Sequence, residues 1–98
     1  MTKEILIAES DRVVQKELER IFEVTDYKII LSESEEALIR ARLFRPDLII
    51  GGKEVYQAVK GDPEFKEIPF ILLLNLFEDL SDKERESLQV DGIISRPL

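Results

Sequence analysis

The sequence contains no cysteine and no histidine among its 98 residues. Without thiols there is neither a disulfide framework nor a thiolate zinc site. Without imidazole the commonest metal ligand and acid–base group is missing, and nucleophilic triads built on His or Cys are excluded. Positive charge is also short, since 14 Lys and Arg stand against 21 Asp and Glu for a net charge of −7. Phosphate backbones are held by clustered basic side chains, so no nucleic-acid partner is expected. No apolar run approaches the roughly 18 residues of a membrane span, and the opening MTKEILIAES lacks the apolar core of a signal peptide. A cytoplasmic protein with no membrane partner is expected. Glycine and proline number only four each, and no linker, repeat or low-complexity tract breaks the chain. One domain over residues 1–98 is the expectation, with 44% hydrophobic content enough for a single core.

What is present is a set of short apolar runs: EILIA (4–8), YKIIL (27–31), DLIIG (47–51), IPFILLL (68–74) and a weaker GIIS (92–95). Continuous runs of Ile and Leu fit strands buried on both faces, the pattern of a parallel sheet covered by helices. The intervals are long enough for crossover helices. Val14, Leu18, Ile21 and Phe22 recur at helical spacing opposite Arg12, Lys16, Glu19, Arg20 and Glu23, which predicts a helix over 11–24. Ser34 and the following EEALIRARLFR predict a second helix, with Ala37, Leu38 and Ala41 inward and Pro46 as its stop. GKEVYQAVKGDP predicts a third, short helix with Val55, Ala58 and Val59 apolar and Gly61 and Pro63 ending it. Ser81 and Glu84 stand in capping-box spacing and start a fourth at Asp82. This alternation is a doubly wound α/β sheet, whose ligand sites lie at the carboxyl ends of the strands. Those ends read AESD, IIGG, LLNL and ISRPL.

In that order the strand ends, together with EEAL…A…RPDLII (35–50), DPEFKEIPFILL (62–73) and Arg96-Pro97, resemble the receiver domain of bacterial two-component response regulators. The resemblance implies a flavodoxin-like, five-stranded parallel sheet of order 2-1-3-4-5. It also implies a degenerate phosphorylation pocket. The family's acceptor aspartate at the end of the third strand falls on Gly52, with Gly51 and Lys53 on either side and no carboxylate in reach. Its paired acidic residues fall on Glu9 and Ser10, with Asp11 beyond, so one of two expected cation ligands is a hydroxyl. The hydroxyl residue of the fourth strand falls on Leu74 and the lysine of the fifth on Arg96. The loop after the acceptor is cut short by the helix at Glu54. Neither metal, cofactor nor enzymatic activity is expected. Asp11 reads better as a helix cap than as a ligand, with Ser10 competing for that role. An ion pair between Glu9 and Arg96 is expected to replace the lost network.

The reading that follows is a pseudo-receiver, a protein–protein interaction or dimerisation module working independently of phosphorylation. Two alternatives stand beside it. One is a divergent receiver phosphorylated on another carboxylate, such as Glu54 or Asp11. The other is a flavodoxin-like domain that binds a nucleotide or small anion at the turn Gly51, Gly52, Lys53, although the longer P-loop spacing is absent. Apolar residues off the main helical faces, Ile39 and Leu43 on the second helix and Leu76, Phe77 and Leu80 before the fourth, mark a candidate partner surface. Receivers carry a fifth helix after the last strand, which this chain lacks. The sheet surface beneath it is therefore expected to be covered by self-association or by the rest of a longer protein.

Overall fold

The run Ile5-Leu6-Ile7-Ala8 is apolar at every position because both faces of its strand are covered. In the computed structural model, which describes residues 2–75 and 78–96, all four side chains are fully buried. They belong to β1 (Glu4–Ala8), the second strand of a five-stranded sheet. Its neighbours are β2 (Lys28–Ser32) on one side and β3 (Leu48–Gly51) on the other, followed by β4 (Phe70–Leu74) and β5 (Gly92–Ser95). All pairings are parallel and the order is β2-β1-β3-β4-β5, as the sequence implied. The crossovers carry α1 (Arg12–Phe22), α2 (Ala37–Phe44), α3 (Lys53–Lys60) and α4 (Asp82–Ser87). The register sets Ser32, Ala8, Gly51 and Leu72 side by side, so Glu9 and Gly52 leave adjacent central strands together.

Side chains alternate between two cores, as pleating requires. Ile5, Ile7, Ile50 and Leu73 meet Val14 and Leu18 of α1 on one face. Leu6, Ala8, Ile49, Phe70, Leu72 and Leu74 meet Ala37, Ala41, Val55 and Val59 of α2 and α3 on the other. Among the described residues α1 is the only helix contributing to the first face, and there Ile71 and Ile94 are only partly buried.

Several elements are shorter or turned differently from their sequence signals. α1 ends at Phe22, where Thr25 donates both its amide and its hydroxyl to the Phe22 carbonyl and breaks the helix before Val24. Ile21, expected inward, is about half exposed, because it lies at the margin of the stripe centred on Val14 and Leu18. α2 enters through a 3₁₀ turn, Ser34–Glu36, and stops where Arg45 takes a left-handed conformation (φ 48°) and donates to the Ala41 carbonyl. Pro46 disfavours the right-handed helical alternative at that residue. Of the three apolar residues of α3, Ala58 is exposed, while Val55 and Val59 fill the contact between α3 and the sheet.

α4 starts at Asp82 with the capping box intact. Ser81 Oγ accepts from the Glu84 amide at 3.2 Å and Glu84 Oε1 accepts from the Ser81 amide at 3.0 Å. The helix buries none of its own residues. It is anchored instead by apolar residues before and after it: Leu80 within the α2/α3 core, Leu88 and Val90 packed against its margin.

Candidate functional site

The carboxyl ends of β1 and β3 frame a cleft of about 190 Å³ lined by Glu9, Ser34, Gly52, Glu54, Val55, Asn75 and Glu78. Gly52 lines it directly after Gly51, the last residue of β3, and the two glycines are there for different reasons. A Cβ on Gly51 would lie 2.8 Å from both Cβ and Cγ1 of Val55, a stiff side chain fixed on α3, so only glycine lets α3 pack this closely. Gly52 has extended backbone (φ −79°, ψ −172°) that any residue adopts, and a Cβ there would meet nothing nearer than the Leu73 carbonyl at 3.8 Å. Gly52 precedes α3 as its N-cap and supplies no side-chain hydrogen bond to it. The tip of the central strand thus has room for a side chain and carries none.

The polar residues after β1 are bound to local backbone. Glu9 Oε1 accepts from the Asp11 amide at 3.0 Å, and Asp11 Oδ1 accepts from the Val13 amide at 2.9 Å as the N-cap of α1. Asp11 therefore takes the capping role, while Ser10 turns to the neighbouring strand end and accepts from the Ser34 amide at 3.0 Å. Gln15, which the sequence did not single out, donates to the Glu9 and Ser32 carbonyls at 3.1 and 3.3 Å and ties α1 to the ends of β1 and β2. Two carboxylates are engaged by amides, the neighbouring strand tip offers no oxygen side chain, and among the described residues no three Asp or Glu side chains converge as ligands.

The expected Glu9–Arg96 ion pair does not form; no ion pair among the described residues includes either residue. Arg96 leaves β5 with its amide donating to the Leu74 carbonyl at 3.0 Å. Glu9 answers the nearer amide of Asp11. Leu74 is buried on the α2/α3 face, an apolar end to β4.

Lys53 also differs from the anion-turn reading. Its ammonium lies 3.1 Å from Glu84 Oε2, 3.9 Å from Glu78 Oε2 and 3.4 Å from the Asp79 carbonyl, so its charge is answered within the chain. With Glu9, Glu54 and Glu78 around the cleft, the local potential opposes an anion. The Ser81 amide first, then the Lys53 ammonium, hold the Glu84 carboxyl below its ordinary range. One helical turn on from Lys53, Tyr56 Oη accepts from the Gln89 amide at 2.8 Å while its ring meets Phe70 edge to face at 5.4 Å. Lys53 and Tyr56 thereby clip α4 to α3 from both of its ends. No local sequence pattern announces contacts spanning about thirty residues.

Of the candidate partner residues, Ile39 and Leu43 are 65% and 69% exposed. Leu80 is corrected to the core, at 5% exposure, because α4 has no apolar residue of its own to seat it. Leu76 and Phe77 lie outside the described residues.

No protein-family model matches the chain. Over an alignment of 108 positions that takes in the whole of this chain and 87% of the relative, it is 32% identical to the polar-differentiation response regulator DivK of Brucella abortus. The chain belongs to the response-regulator receiver family. A solved receiver domain of a signal transduction histidine kinase from Syntrophus aciditrophicus superposes with a TM-score of 0.80 at 29% identity, covering 99% of this chain and 80% of that one. The chemotaxis protein CheY4 of Vibrio cholerae shares the fold at the same TM-score with 18% identity, covering 100% of this chain and 89% of its own. This receiver domain is thus a module of two-component signalling with the sheet order of its relatives. No helix among its described residues is long and apolar enough to cross a membrane.

Proposed function

We propose that this receiver domain signals by docking to protein, without accepting a phosphoryl group. One observation carries the reading: Gly52, one residue beyond β3 at the mouth of the cleft, has space for a side chain and none to offer. Phosphoryl transfer to a protein needs a nucleophilic oxygen in line with the donor and a cation to neutralise developing charge. Gly52 lacks the first. The engaged carboxylates of Glu9 and Asp11 and the apolar Leu74 argue against the second and against any group that would read the product.

The alternative acceptors fit less well. Asp11 is committed to the first turn of α1, and Glu54 projects from the first turn of α3 beside two other glutamates, where added negative charge is repelled. Incubation with acetyl phosphate and magnesium, followed by intact-mass measurement, separates the readings. The mass stays that of the unmodified chain if docking is the mechanism. A gain of one phosphoryl group, mapped to Glu54 or Asp11, overturns it.

A further inference from the structure

We draw no further inference here: the strongest candidate, the apolar patch formed by Ile39 and Leu43 on the outer side of α2, carries nothing because nothing in the structure shows what covers it.

Discussion

At the scale of single residues, the two adjacent glycines separate packing from lost chemistry. Gly51→Ala forces a Cβ into Val55 and is expected to cost about 1–3 kcal/mol, as overpacking does. Gly52→Ala meets open space in extended backbone and is expected to stay within about 0.5 kcal/mol of the parent, since it disturbs no contact. Urea denaturation of the two variants measures the difference, and equal losses would remove the distinction between them. Asp11→Ala deletes the N-cap of α1 and is expected to cost about 1 kcal/mol in the same experiment. The sequence located these residues at strand ends because strand ends in a doubly wound sheet are found by counting. It paired them wrongly. Whether Glu9 meets Arg96 or the amide two residues on is decided within a few ångströms, and the local bond has no chain entropy to overcome.

At the scale of elements, the strands and the capped starts of helices were legible because each is dictated by neighbours in sequence. EILIA and GIIS match β1 and β5 residue for residue, and the Ser81–Glu84 box places the start of α4. The attachment of α4 was not legible, because a six-residue helix with no buried residue is held by Lys53 and Tyr56 from α3 and by Leu80 ahead of it. Leu80 looked like a surface anchor for the same reason, an apolar residue in a polar stretch. The Glu84 carboxyl, held below its ordinary value of 4.5, favours the docked helix whenever it is ionised. That contribution is present above its unfolded-state pKa and is lost as pH falls through the lower, folded one. Amide protection across residues 82–89, taken relative to the intrinsic exchange rate at each pH, is therefore expected to fall on acidification before that of the β1 and β3 amides, and Lys53→Met should bring about part of the same loosening at neutral pH. A uniform response of sheet and α4 would mean that the clip has no separate energetic role.

At the scale of the whole molecule, the fold follows from alternation, since five apolar runs separated by crossover lengths leave few right-handed ways to build a sheet. Function does not follow in that way. The same sheet in other receivers presents its strand ends to a phosphoryl group, whereas here the central tip is bare and the conspicuous unpaired feature is the outward side of α2. The most direct test is the two-dimensional amide NMR spectrum of the chain before and after addition of magnesium and a small phosphodonor. The spectra are expected to superimpose. Displaced resonances spreading from residues 9–11 and 51–54 into 78–96 would show a phosphoryl-driven switch and contradict the account.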